Sequence, residues 1–540
     1  MDNKRLIVFI VFSLSVLLLW QKWRIARAPA PQPEKVAEAP SPQPKMAEKT
    51  GGPADIGAEP NSGQTIVVKT DVMQADISTM GGDLRGLDLL KYHDSRDPDK
   101  PYSFFRNEGG RVYMAQSGLI GNGLPTHKTL FTVQSLQYEL KPGEDALKVR
   151  LEGPENAAYR VEKVYTFHRN SYVIDVSYEI KNLGSAAIQP YAYFQLLRDG
   201  NPPEGDTRFA KTYTGVAVYT DKSKFVKEEF SDIAKGKADY PQSDDNGWIA
   251  MIQHYFVSAW LPAGHVKREY YTKQLGDLYS AGTVLPVGGI QPGKEGGLSV
   301  ALYAGPQEQN LLSKLAPGLD LVVDYGWLTV IAKPLFWVLS LFYKWVQNWG
   351  GAIVLLTVCI KLLFFPLSAA SYKSMAKMRA LNPKLQMLKE QYGEDKQRMN
   401  QAMMELYKTE KVNPLGGCLP ILVQIPVFIA LYTVLLTTVE LRNAPFMLWI
   451  KDLSLPDPYY VLPLIMGITM LLQTKMNPAP PDPIQAKVMQ IMPVAMSIFF
   501  FFFPAGLVLY WLVNNILSIS QQWYITRMIG KETAALNAKR

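Results

Sequence analysis

Polar and apolar positions alternate through the first long stretch of the chain and stop alternating beyond it. In SYVIDVSYEIKN, Tyr172, Ile174, Val176, Tyr178 and Ile180 fall on one face. Asp175, Ser177, Glu179 and Lys181 fall on the other, and Asn182, Leu183 and Gly184 then turn the chain. TIVVKTDVMQADIS and YRVEKVYTFHR repeat the period of two. Helical periodicity is scarce here, so residues 64–332 are expected to form one large all-β domain of two packed, mainly antiparallel sheets.

Beyond residue 334 the pattern becomes unbroken apolar runs. Five are candidate membrane spans: residues 350–370, 418–439, 459–474, 488–503 and 505–525. The third and fourth are at or just under the usual minimum of about 17 residues. Residues 333–349 are also apolar but carry Pro334, Lys344 and three tryptophans, which suits a helix lying in the membrane interface. At the N-terminus Lys4 and Arg5 precede an apolar run ending at Trp20, with no small-residue cleavage site after it. An uncleaved signal anchor over residues 1–27 is expected, in preference to a cleaved signal peptide. Residues 28–63, rich in Pro and Ala, have too few large apolar side chains for a core and read as a tether.

Charge sets the orientation. The segment 372–414 carries Lys373, Lys377, Arg379, Lys384, Lys389, Lys396, Arg398, Lys408 and Lys411. The C-terminal end carries Arg527, Lys531, Lys539 and Arg540, whereas the loop between the second and third of the five spans has only Arg442 and Lys451. The positive-inside rule places segment 372–414, the 530–540 tail and the N-terminus in the cytoplasm and the β domain outside, which is consistent with six spans in all. The net charge of +8 over 540 residues gives no case for a nucleic-acid partner. Cys359 and Cys418 both lie in the apolar half and do not decide the redox compartment.

No catalytic motif is found: no H-E-x-x-H, G-x-S-x-G, Walker A sequence or Cys/His cluster. The histidines, His93, His127, His168, His254 and His265, are scattered through the β domain and read as surface or packing residues. Neither enzyme chemistry nor a metal or cofactor is expected. The residue out of place is Lys361, near the centre of the 350–370 run. A charge there costs about 2.5–3.5 kcal/mol on insertion scales. None of the five runs holds an internal Asp or Glu, and Glu440 stands at a boundary. A water-filled cavity is the expected surrounding, ahead of snorkelling or an ion pair. On a continuous helix Thr357 and Ser368 share the face of Lys361. In the last run Asn514, Ser518, Gln521 and Gln522 form a second polar face flanked by Asn515, and Gln424 lies in the 418–439 run. Hydrogen bonding between helices is the plainer account of these faces, but polar faces on several helices together with one unpaired cation favour a hydrated groove.

The basic segment reads as a helical hairpin. Pro383 suits a first turn, Gly393 a stop, and Asp395 a cap for KQRMNQAMMELYKTE. Among its methionines, Met399, Met403 and Met404 can either pack the hairpin or meet varied apolar partners.

Several longer stretches then share one resemblance. SMAKMRALNPKLQ, LYKTEKVNPLGGCLP, DPYYVLP and GLVLYWLVNNILSI, in this order and after LDLVVDYGWLTVIAKPLF, are similar to the YidC family of membrane protein insertases of Gram-negative bacteria. The resemblance covers nearly the whole chain. It implies a multi-pass inner-membrane insertase and chaperone with a periplasmic β-supersandwich domain. It also implies a five-helix core over 350–529 whose hydrated, positively charged groove opens to cytoplasm and lipid. Expected partners are nascent membrane proteins, the Sec translocon, the ribosome and signal recognition particle pathway, and the bilayer itself. Lys361, Thr357, Ser368, Gln424, Asn514, Asn515 and Ser518 would line the groove. One departure stands out: the family usually carries arginine where this chain has Lys361, and a buried lysine releases its proton more readily than a guanidinium does. A secondary transporter is disfavoured because no internal repeat is visible. A membrane-anchored carbohydrate enzyme would rest on fold analogy alone.

Overall fold

The Tyr172–Ile180 stripe is buried to 7% exposure or less, and Glu179 and Lys181 on the opposite face are in solvent. The strand Val173–Asn182 that carries it runs antiparallel between Tyr159–His168 and Glu295–Pro306. The computed structural model describes residues 63–94, 97, 99–203, 212–393, 395–410, 419–477 and 483–537. The expected anchor at 1–27 and nearly all of the tether lie outside these residues. The described residues fall into two bodies, one comprising 63–373 with 419–537 and the other 374–410.

In the larger body two sheets face each other. A ten-stranded sheet begins at the two-residue strand Ser243–Asp244, has Tyr191–Asp199, Arg111–Ile120 and Pro101–Glu108 at its centre, and ends on the three-residue Gln137–Glu139. A nine-stranded sheet begins at the charged strand Lys224–Glu229 and ends on the two-residue Thr132–Val133. Among the described residues all strand pairings are antiparallel except Thr65–Lys69 with Gln137–Glu139, which is parallel. The sandwich core includes Trp248 and Trp260, each about 1% exposed. A polar island also lies between the sheets. Lys163 donates to the carbonyls of Gly81 and Ser117 at 3.0 and 3.3 Å. Gln116 donates to Asp83 at 2.8 Å. Burial pushes the Asp83 carboxyl up to about 6, although Lys163 and Gln116 draw it down.

The helical half follows the helix α1 (Gln309–Leu315). Helix α2 (Thr329–Val346) continues a short turn before it, so that Gly326–Val346 is long and apolar enough to cross a bilayer by length and composition. Asn348 caps α3 (Trp349–Leu363), its side-chain oxygen accepting from Gly351 N–H at 2.8 Å. One continuous helix was the expectation for 350–370. Instead α3 ends at Phe364 and α4 (Phe365–Ala380) leaves at 65°. Pro366 has no N–H to offer the Leu362 carbonyl, so the ladder breaks there.

Helices α7 (Leu419–Thr437), α8 (Val461–Met476), α9 (Pro483–Phe499) and α10 (Ala505–Asn537) complete this body. At about 1.5 Å per residue, the 16 residues of α8 span roughly 24 Å, short of the ~30 Å hydrocarbon core.

The β domain is keyed to the helices just past α7. The Arg442 guanidinium lies 4.7, 5.7 and 5.4 Å from the ring centres of Tyr102, Tyr255 and Phe256. It also donates to the His93 carbonyl at 2.8 Å, and His254 Nε2 lies 3.0 Å from the Leu436 carbonyl.

The smaller body is the expected hairpin. Helix α5 (Asn382–Tyr392) has Pro383 in its first turn. Asp395 accepts from the Gln397 and Arg398 amides to start α6 (Lys396–Thr409). Lys384 and Glu410 tie the two arms at 2.6 Å.

Candidate insertion site in the helical bundle

Lys361 occupies the last turn of α3 and is 6% exposed. Its ammonium donates to Ser518 Oγ on α10 at 2.7 Å. The Ser518 hydroxyl gives its own proton to the Asn514 carbonyl at 2.7 Å, so its lone pairs remain to accept from the lysine. Among the described residues no carboxylate acts on Lys361. A buried cation with a neutral partner keeps most of its desolvation cost.

The cluster extends across helices. Gln424 of α7 donates to Asn514 Oδ1 at 2.8 Å. Gln521 reaches the Lys361 carbonyl at 3.5 Å, a weak contact. Gln522 donates to Asn477 Oδ1 at 3.1 Å and to the Met476 carbonyl at 3.3 Å, beyond the end of α8. Asn515 Nδ2, Gln521 Oε1 and Gln522 Oε1 are buried without a hydrogen-bond partner among the described residues. Sequence pattern therefore brings Lys361, Gln424, Asn514 and Ser518 into one network, with Asn515 buried beside it on α10.

Thr357 and Ser368 do not join that network. Thr357 is 1% exposed and its hydroxyl donates to the Ile353 carbonyl one turn back. Ser368 is half-buried on α4, beyond the 65° bend, so the shared face expected of a straight helix does not exist. Two tyrosines that local pattern did not single out lie next to it. Tyr372 of α4 stands beside Ser518 and Tyr510 of α10 beside Gln424. Tyr372 stands at the end of an apolar run, which was the available signal, but its position beyond a bend hid the partner.

In the separate hairpin, Met399 and Met403 are half-buried, whereas Met404 is 53% exposed. Met404 lies on an open face of α6 with Gln397, Gln401 and Lys408. The histidines sit in the β domain as expected, His168 for instance 2.7 Å from Asp175. Among the described residues no group of three His, Cys, Asp or Glu is placed to hold a metal ion.

Residues 65–338 match the family described as the YidC periplasmic domain, and residues 341–532 the 60Kd inner membrane protein family. The membrane protein insertase YidC of Nitrosospira multiformis is 56% identical over 560 residues, covering 99% of this chain and 98% of that one. The chain belongs to the YidC family of membrane protein insertases. The YidC of Nitrosomonas europaea is 54% identical, covering 98% of this chain and 91% of its own. A crystal structure of an active YidC insertase with its first transmembrane domain resolved is 20% identical, with a TM-score of 0.41 over 86% of this chain and 93% of that one. As in the YidC family, an all-β periplasmic domain precedes a helical inner-membrane region.

Proposed function

We propose that this chain inserts proteins into the inner membrane, and helps them fold, by drawing an acidic or polar segment of the incoming protein to the Lys361–Ser518 cluster. The observation that carries the reading is the buried Lys361 ammonium, whose partner is a hydroxyl and not a carboxylate. A carboxylate offers that cation a stronger, charge-assisted bond than serine can. The buried open valences of Asn515, Gln521 and Gln522 supply further polar contacts along α10. The attracted segment enters from the cytoplasm through a hydrated groove. The apolar part then leaves sideways into lipid and the polar tail crosses. Helix α8, about 24 Å long, thins the bilayer locally and shortens the crossing.

In this reading both termini and the hairpin are cytoplasmic, and residues 333–349 lie in the interface, so that the anchor and the five core runs keep an even number of spans. Nascent chains arrive from the ribosome and the signal recognition particle pathway, and the protein works alone or with the Sec translocon. Binding, not ATP hydrolysis, drives the step.

Two unit charges about 4 Å apart interact by about 4 kcal/mol at an effective dielectric of 20 and by about 1 kcal/mol in water. Even about 1.4 kcal/mol expressed in the barrier changes a rate about tenfold. The test uses purified protein in liposomes without ATP and one client carrying zero, one or two acidic residues in its translocated tail. Lys361→Arg should retain insertion. Lys361→Ala should slow the acidic clients by about tenfold or more and the neutral client less. Equal losses across the series, with lowered protein abundance, would leave Lys361 as scaffolding.

A further inference from the structure

A second cationic site lies in the β domain. A cleft of about 30 Å³ opens among Arg106, Arg111, Arg198, Asp199, Tyr102 and Gln253. The first five come from central strands of the ten-stranded sheet and Gln253 from the facing sheet. Arg198 is its floor. It is 1% exposed, its guanidinium lies 5.0 Å from the Tyr113 ring centre, and its Nη2 donates to the Asn201 carbonyl at 3.2 Å. Its Nη1 is buried with no partner among the described residues.

The neighbouring Asp199 carboxylate is already engaged. It accepts from the Val112 and Asn201 amides at 2.8 Å each and lies 3.4 Å from Arg111 Nε. Asp94 stands 3.5 Å from Arg106 Nη2. Three guanidiniums thus line the cleft; Asp199 pairs with Arg111 and Asp94 with Arg106, and the most buried of the three, Arg198, keeps a donor that no described residue meets. An orphaned, fully buried guanidinium donor is costly unless an acceptor meets it. Planar guanidinium forks match the oxygens of a phosphate group. The space exceeds the roughly 10–15 Å³ that one water needs, so it admits the oxygens of one such group while the remainder stays outside.

We infer that this cleft binds a phosphate group, through Arg198 from below and Arg106 from the rim. The group belongs to a lipid headgroup or to soluble phosphate. The junction with the helices is near: the Tyr102 ring that lines the cleft lies 4.7 Å from Arg442, five residues beyond the end of α7.

The test follows thermal unfolding of the full-length, delipidated protein in detergent, titrated with inorganic phosphate against sodium chloride at equal ionic strength. Phosphate should raise the midpoint saturably and chloride should not. Arg106→Gln should raise the half-saturating phosphate concentration about tenfold or more, and Arg198→Gln should abolish the response. Arg106 is partly exposed, so its variant keeps the test decisive should Arg198→Gln fail to fold. Repetition in phosphatidylglycerol nanodiscs separates the sources. Loss of the phosphate response there in the wild type identifies the headgroup as occupant, and persistence identifies soluble phosphate. A phosphate effect matched by chloride, or one unchanged in Arg106→Gln, would overturn the assignment.

Discussion

Replacing Glu440 by Gln should make the protein more stable at pH 8 and less sensitive to pH. Glu440 sits in the short turn Val439–Leu441 after α7, outside the spanning helices. It faces Glu308 at the start of α1, with Tyr92, Tyr303 and Tyr325 around the pair. Tyr92 donates its hydroxyl to Glu308 at 3.1 Å, and among the described residues no cation acts on Glu440. Burial, and then the Glu308 charge, push its carboxyl from 4.5 up to about 7. A raised carboxyl pKa means that the folded protein binds more protons than the unfolded chain between the two values. Stability therefore falls as pH rises from about 4.5 to about 7, and the loss is complete above that. A gap of about 2.5, at about 1.36 kcal/mol for each pH unit, is about 3 kcal/mol. The assay is thermal unfolding of wild type and Glu440→Gln from pH 5 to pH 8 in detergent. Asp83, also raised by burial, adds a slope of the same sign to both proteins, so their difference isolates Glu440. If the two proteins lose stability in parallel across that range, or if the variant is the weaker at pH 8, then Glu440 is not a buried acid held against its preference.

Other outcomes follow from single contacts. Arg442→Met should loosen the junction between β domain and helices by about 2–3 kcal/mol, since it removes a charged hydrogen bond and contacts with three rings. Hydrogen exchange should then quicken in the strand Leu84–His93 before the rest of the sheet, and uniform exchange would argue against a local key. In the hairpin, a photo-crosslinker at the exposed Met404 should capture translating chains more often than one at the half-buried Met399. Crosslinks confined to the facing arm at both positions would make these methionines packing residues.

Much of this molecule could be read from local pattern, because local pattern carries the physics that decides it. Alternation fixed the face of Tyr172–Ile180, and Pro383, Gly393 and Asp395 punctuated the hairpin where they stand. The bend at Phe364 was not legible, since both sides of it are apolar or helix-forming and Pro366 alone does not set a direction. The partner of Lys361 lies 157 residues away, and nothing in either segment names the other. Arg198 was hidden for a different reason. Its strand, Tyr191–Asp199, is buried on both faces, so alternation is lost there and an arginine reads as an interruption.

The ends of the two sheets bear on the company this protein keeps. An open sheet edge is a template for any extended strand that passes. Here three of the four edges are two or three residues long, and the fourth, KFVKEE, is mostly charged. Short and charged edge strands are among the devices that discourage pairing with a passing chain, although Ala146–Arg150 has no ladder partner on its outer side among the described residues. The sandwich thus meets an extended neighbour with margins that are mostly short or charged, not with one long apolar edge.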